Sequence, residues 1–150
     1  MKPEDPAYLH HILDAISHIE KFSKNISSAE DLKDHPLERA GIERMLSIIG
    51  EAAKNVSPQL RKDATDIPWK ATAGMRDKII HHYFGVDYEA VYETIRQDLP
   101  VLKRGVQKIL EGTTTQKPDT DAKKSGKPGK NHGTSRKSPR KNGRSPRTED

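Results

Sequence analysis

The chain has 150 residues, no cysteine, 10 glycines and 10 prolines, and 31% of its residues are hydrophobic. No segment approaches the roughly 18 apolar residues of a membrane span, and no charged segment leads into an apolar one as in a secretory signal. The absence of cysteine excludes disulfides, thiolate metal sites and cysteine nucleophiles, and the composition as a whole favours a cytoplasmic protein.

The composition changes abruptly after Leu110. Residues 1–110 hold 46 of the 47 hydrophobic residues and carry 16 basic against 17 acidic side chains, a net charge of −1. Residues 111–150 carry 11 basic against 5 acidic side chains, a net charge of +6. We therefore predict one folded domain, 1–110, followed by a basic tail, 111–150, which has too few apolar side chains to offset its ordering entropy and stays disordered.

The first half of the domain predicts two long helices. Asp5-Pro6 is typical of an N-cap followed by the first helical residue, and apolar residues then recur at helical spacing over 6–24. A second long helix is predicted from about 36 to 56. Ser57-Pro58 ends this helix and caps a short helical turn.

The second half predicts two more helices. The third begins at Trp69, with Asp66 as a possible cap, and continues until Gly85 breaks it. Asp87 caps the last helix. Pro100 distorts that helix, because proline lacks the amide donor and its ring clashes with the carbonyl four residues earlier.

These elements favour an all-α fold, a four- to five-helix up-and-down bundle. No strand alternation or tight hairpin signal is present. Gly41 and Gly50 lie inside the second helix, where each costs about 1 kcal/mol relative to alanine. Close approach of another helix or subunit would explain both glycines.

The segment from Arg76 to Tyr83 carries the strongest chemical signal. It places a permanent cation, two imidazoles (His81 and His82) and a phenol within eight positions. Arginine binds phosphate through its planar fork, and histidine moves protons near neutral pH. The set suits RNA cleavage by the 2′-hydroxyl, which requires no metal. The alternative is structural, since such residues at a helix end often cap carbonyls or pair with carboxylates.

Helical geometry constrains this hypothesis. On an ideal helix Arg76, Ile80 and Tyr83 share one face, whereas His81 lies about 140° from Arg76. Either the helix is distorted near His81, or a symmetric dimer brings two copies of the motif together. His82 lies on another face and is either functional or only a solvated or capping residue.

In its residues and their order, the chain resembles the HepT-type toxins of the HEPN superfamily. Arg76, His81 and Tyr83 match the R-x4-H-x-Y motif of that family. The likeness extends over about residues 5–110. The other segments that carry it are 8–13, 49–52, 67–69, 74–76, 82–87 and 98–100.

The resemblance implies an all-helical homodimer that cleaves RNA without a metal or cofactor. Arg76 would stabilise the scissile phosphate and His81 would act as general acid and base. The expected partner is a minimal nucleotidyltransferase antitoxin that adds AMP to Tyr83, which also contacts RNA. The added bulk and negative charge beside Arg76 would repel an incoming phosphate.

Other residues leave alternatives open. Many relatives carry asparagine where this chain has Asp77, whose carboxylate could pair with Arg76 or Lys78 or instead point to solvent. Glu51 could orient Arg76 or His81, or it could be a surface carboxylate that pairs with a basic neighbour. His11 and His18 share a helix face but lack supporting carboxylates, so we predict surface or interface histidines and no metal site.

Two other functions compete with that of an RNase toxin. The chain could be a catalytically inactive helical module that docks a nucleotidyltransferase and is modified by it. It could also be an accessory protein that binds nucleic acid through the tail, since lysines and arginines there could contact phosphates without reading sequence.

Overall fold

The computed structural model of the chain describes residues 1–81 and 85–115, with Ile80, His81, Thr114 and Thr115 described by backbone alone. The predicted all-α class is confirmed. Within the described ranges, no helix is long and apolar enough to cross a membrane. The helices are α1 (Asp5–Phe22), α2 (Ala29–Asp34), α3 (Pro36–Asn55), α4 (Pro58–Asp63), α5 (Trp69–Ala73), α6 (Met75–Ile79), α7 (Tyr88–Glu93) and α8 (Leu99–Thr115).

The two long helices α1 and α3 form the main wall of the domain. Both begin and end close to the predicted residues, and they pack against each other more extensively than any other pair of described elements. α8 also packs against α1. The fully buried side chains at the centre of this packing include Leu9, Ile12, Ile16, Ile19, Ile42, Leu46, Ile49, Leu102 and Val106.

A buried carboxylate ties the start of α1 to the start of α4. Asp5 is 1% exposed, and it accepts hydrogen bonds from the Ser57 amide (2.8 Å), the Ser57 hydroxyl (2.6 Å) and the Lys2 amide (2.7 Å). Burial opposes its ionisation, but these hydrogen bonds outweigh burial and hold the pKa of Asp5 below its ordinary value.

The predicted N-cap of α1 is wrong by one residue, because Glu4 occupies that position and Asp5 is the first helical residue. Ser57 caps α4 as predicted, accepting from the Leu60 amide.

The two glycines inside α3 lie where other helices approach closely. A Cβ on Gly50 would be 3.1 Å from the carbonyl oxygen of Ala73, at the end of α5. A Cβ on Gly41 would be 2.9 Å from the ring of Phe22 on α1. The prediction of close helix approach is confirmed for Gly50, where the neighbour is backbone, whereas the space at Gly41 is filled by a side chain.

The third predicted helix is broken in two. α5 ends at Ala73, a turn follows at Gly74, and α6 then runs only to Ile79. The predicted end at Gly85 is therefore wrong. Asp66 is not the cap either: Pro68 precedes α5 without a side-chain cap, and the Asp66 carboxylate lies 3.5 Å from Lys108 Nζ.

A two-stranded hairpin follows α6, contrary to the expectation of no strands. β1 (Ile80–His81) pairs antiparallel with β2 (Gly85–Val86), with His81 opposite Gly85. Gly85 has φ +80°, in the left-handed region that glycine adopts without steric cost. Each strand has two residues, too few for sequence alternation to reveal.

The last predicted helix is distorted before Pro100, as expected. Asp87 caps α7 by accepting from the Ala90 amide at 3.0 Å. A π-helical turn, Thr94–Asp98, then joins α7 to α8. Because proline has no amide hydrogen and its ring crowds the preceding turn, the wider π-turn accommodates it. α8 runs to Thr115, inside the segment assigned to the tail; residues 116–150 lie outside the described part of the chain.

Candidate active site

An open groove of about 700 Å³ runs between α1, α3 and α6. Both signs of charge occur along it, from two arginines and two glutamates. Its polar lining consists of Tyr8 and His11 from α1, of Glu43, Arg44, Ser47, Glu51 and Asn55 from α3, and of Arg76 from α6.

Arg76 lies on the short helix α6, which borders this groove. Met75 and Ile79 are buried at 6% and 1% exposure and anchor α6 in the core, next to α3. Arg76 is exposed and lines the groove. A new helix begins after the turn at Gly74, where the Lys78 amide donates a hydrogen bond to the Gly74 carbonyl. Arg76 therefore lies two residues after the helix break.

Glu51 and Arg76 line the same groove, although they come from different helices. The ion pair that Glu51 makes is with Lys54, at 3.5 Å, and its side chain is 70% exposed. Glu51 therefore borders the groove that contains Arg76, but its carboxylate pairs with Lys54, one helical turn away. Asp77 is exposed and does not line the groove.

The chain leaves the helix before the remaining motif residues. Because α6 ends at Ile79, the helical-wheel argument that placed Arg76, Ile80 and Tyr83 on one face is wrong. The alternative of a distortion near His81 is confirmed, since the His81 backbone lies in β1. The side chain of His81, and His82 and Tyr83 altogether, lie outside the described residues.

Comparison with known proteins gives the same family as the motif. The profile of a family described as "Ribonuclease HepT-like" matches residues 12–109. The chain belongs to the HepT-like ribonuclease family. The predicted resemblance is therefore confirmed, and the matched residues coincide with the helical domain and exclude the basic tail.

Individual relatives of this HepT-like chain are similar over nearly their whole length. "Putative RNase TTE0752" of Caldanaerobacter subterraneus subsp. tengcongensis is 45% identical, over 74% of this chain and 97% of the relative. "Probable ribonuclease HepT" of Thermococcus cleftensis is 41% identical, over 73% and 98%. "Putative RNase MJ1216" of Methanocaldococcus jannaschii is 39% identical, over 73% and 90%. No solved structure matches the chain.

Several groove residues of this HepT-like chain were not predicted as part of the site, among them Tyr8, His11 and Arg44. Tyr8 and His11 lie one turn apart on α1, with their rings edge to face at 6.4 Å between centroids. Arg44 lies two turns before Glu51 on α3. Both spacings place each pair on one helix face. Only the packing of α1 against α3 shows that the two faces border the same groove as Arg76.

Proposed function

We propose that this HepT-like chain is a metal-independent endoribonuclease, and that the residues of its R-x4-H-x-Y motif catalyse the cleavage of RNA. Arg76 binds the scissile phosphate and stabilises the charge that develops on it. His81 transfers protons as general acid and base. The observation that carries the proposal is the position of Arg76, exposed in an open groove, within a chain of the HepT-like ribonuclease family.

The groove suits a single-stranded nucleic acid. Its two arginines, Arg44 and Arg76, are bidentate phosphate donors, and the domain's net charge of −1 makes such local placement of cations necessary. Tyr8 adds a ring face of the kind on which unstacked bases pack in RNA complexes. Cleavage by the neighbouring 2′-hydroxyl needs proton transfer and charge stabilisation, which side chains can supply.

We further propose that the chain is the toxin of a toxin–antitoxin pair. The partner is a minimal nucleotidyltransferase that transfers AMP to the hydroxyl of Tyr83. Tyr83 follows His81 by two residues, so the added phosphate would lie near the catalytic motif. Its negative charge would compete with RNA phosphate for Arg76 and block cleavage.

We propose that two copies of the chain act together as a homodimer. The motif supplies one arginine and one histidine per chain, and a two-fold axis beside α6 would double both. Sedimentation of the purified protein tests this state directly. A monomer that cleaves RNA at full rate would contradict it.

Cleavage by purified protein tests the central proposal. Wild-type protein in EDTA is expected to cut single-stranded RNA, and His81→Ala is expected to lose this activity while keeping its circular-dichroism spectrum. In cells without the partner, the wild type is expected to arrest growth and His81→Ala is not. Equal cleavage by both proteins would contradict the role of His81, and no cleavage by either would favour an inactive binding module.

Mass spectrometry tests the antitoxin proposal. Co-expression with a nucleotidyltransferase is expected to add the mass of one or more AMP groups to the wild type and none to Tyr83→Phe. An unmodified Tyr83 in a protein that the partner still inhibits would contradict it.

A further inference from the structure

Cleavage of RNA by its own 2′-hydroxyl moves two protons. The bond from the 2′-oxygen to phosphorus forms as the bond from phosphorus to the 5′-oxygen breaks. One group takes the proton from the 2′-oxygen and another gives a proton to the departing 5′-oxygen, so the reaction has no net proton change. The products are a 2′,3′-cyclic phosphate and a free 5′-hydroxyl. The R-x4-H-x-Y motif supplies one such imidazole per chain, His81.

The groove that contains Arg76 holds a second imidazole. His11 is exposed on α1 and lines this groove, opposite the α3 residues and with Tyr8 one turn before it. An imidazole exchanges protons near neutral pH and is the commonest general acid or base in enzymes. His11 therefore has the chemistry and the access that the second proton transfer needs.

The neighbouring histidine faces elsewhere. His10 borders a different cavity with Pro6 and Leu110, at the junction of α1 and α8. The 100° step between successive helical residues separates the two imidazoles. His11 is thus directed towards the groove by the packing of α1 against α3, and His10 provides a matched control one residue away.

Charged and titratable groups surround His11 on each element that forms the groove. α3 contributes Glu43, Arg44 and Glu51, α6 contributes Arg76, and α1 contributes Tyr8. A substrate phosphate held by the arginines would lie in the same groove as the imidazole. The two carboxylates offset part of the positive charge of the two arginines.

We propose that His11 is a catalytic residue, the second proton-transfer group of the cleavage reaction. This inference rests on the proposed ribonuclease function. His11 carries one of the two proton transfers, and the other stays with the general acid and base of the proposed function. Arg76 holds the phosphate during both transfers.

The pH dependence of kcat tests this proposal. Wild-type protein, His11→Gln and His10→Gln are compared on single-stranded RNA in EDTA between about pH 5 and 9. The wild type is expected to give a bell-shaped profile. His11→Gln is expected to lose one limb of the bell and about 10²- to 10⁴-fold in kcat, with KM little changed. His10→Gln is expected to match the wild type.

Two outcomes would overturn the role of His11 while leaving the ribonuclease function intact. One is an active His11→Gln protein that keeps the bell-shaped profile, which would place the second proton transfer on another group, such as the second copy's motif. The other is an effect confined to KM, which would make His11 a binding residue. An inactive wild type would instead overturn the proposed function itself, and His11 with it.

Thermal unfolding separates a local chemical effect from a folding defect. His11 is exposed, so His11→Gln is expected to unfold at the wild-type temperature. His11→Asn serves as a second replacement. Loss of the same limb of the profile in both variants supports the proposal, and a loss of activity that follows loss of folded protein in both contradicts it.

Discussion

The wall formed by α1 and α3 differs in construction from the segment between Trp69 and Asp98. The wall consists of two uninterrupted helices of 18 and 20 residues with a continuous apolar interface. The segment consists of short helices, a hairpin and a π-turn. Among the described residues, the wall supplies more than half of the largest fully buried side chains, whereas the segment carries the motif. Arg76 thus lies on a short helix that follows a break in the chain, and not on one of the long helices.

The largest effect is expected from a cavity in the wall. Ile49→Ala removes a side chain with no exposed surface and should lower the free energy of unfolding by about 2–5 kcal/mol. Leu37→Ala on the same helix is the control, because Leu37 is 81% exposed and should change stability by less than about 0.5 kcal/mol. Urea denaturation measures both. Equal losses would show that the wall does not carry the stability.

The next effect concerns activity alone. Arg76→Ala should lower the rate of RNA cleavage by about 10²- to 10³-fold, because the developing phosphate charge loses its donor. Stability should stay within about 0.5 kcal/mol of the wild type, since the side chain is exposed. Arg104→Ala, an exposed arginine on α8, is the control. Similar losses in both variants would point to general electrostatic attraction instead of a site.

A third prediction concerns the tie between α1 and α4. Asp5→Asn should cost about 1.5–3 kcal/mol of stability at pH 7, because the carboxylate accepts three hydrogen bonds in a buried position. The pKa of Asp5 is lower in the folded protein than in the unfolded chain. The stabilisation that the Asp5 carboxylate provides is therefore complete at pH values above its unfolded-state pKa, and it is lost as the pH falls through its folded-state pKa.

The measurement is unfolding free energy against pH for the wild type, Asp5→Asn and Asp14→Asn. The gap between the wild type and Asp5→Asn should narrow as the pH falls below about 4. Asp14 is exposed on α1, and its replacement should leave the curve unchanged. A gap independent of pH would contradict an ionised Asp5.

The smallest effect is expected where the wall contacts the segment, at Gly50 of α3. In Gly50→Ala the new Cβ would lie 3.1 Å from the Ala73 carbonyl oxygen, so α5 must shift by a few tenths of an ångström. The strain of about 1–3 kcal/mol is partly offset by the gain of about 1 kcal/mol in helix propensity, so the net change in stability is small. Because Ala73 precedes α6, RNA cleavage by folded protein should also fall. Gly112→Ala is the control, since nothing lies within 4 Å of its Cβ. Unchanged activity in Gly50→Ala would show that α6 is positioned independently of this contact.

The same contrast explains which features the sequence could predict. Apolar periodicity and the capping residues Ser57 and Asp87 define the long helices and short turns, because these signals are local. The break at Gly74 depends on how α5 meets Gly50 of α3, which is a tertiary contact. The motif residue Arg76 was recognisable from the sequence. The place of His11 beside it depends on the packing of α1 against α3.

The number of residues in the π-turn before Pro100 determines how α8 is rotated about its own axis, and therefore which of its side chains face the core. The turn holds one residue more than an α-helical turn, and each residue rotates the downstream helix by about 100° and advances it by about 1.5 Å. Leu102 and Val106 are buried in that orientation. Losing one residue from Thr94–Asp98 would turn both out of the core, so this stretch tolerates substitution far better than deletion.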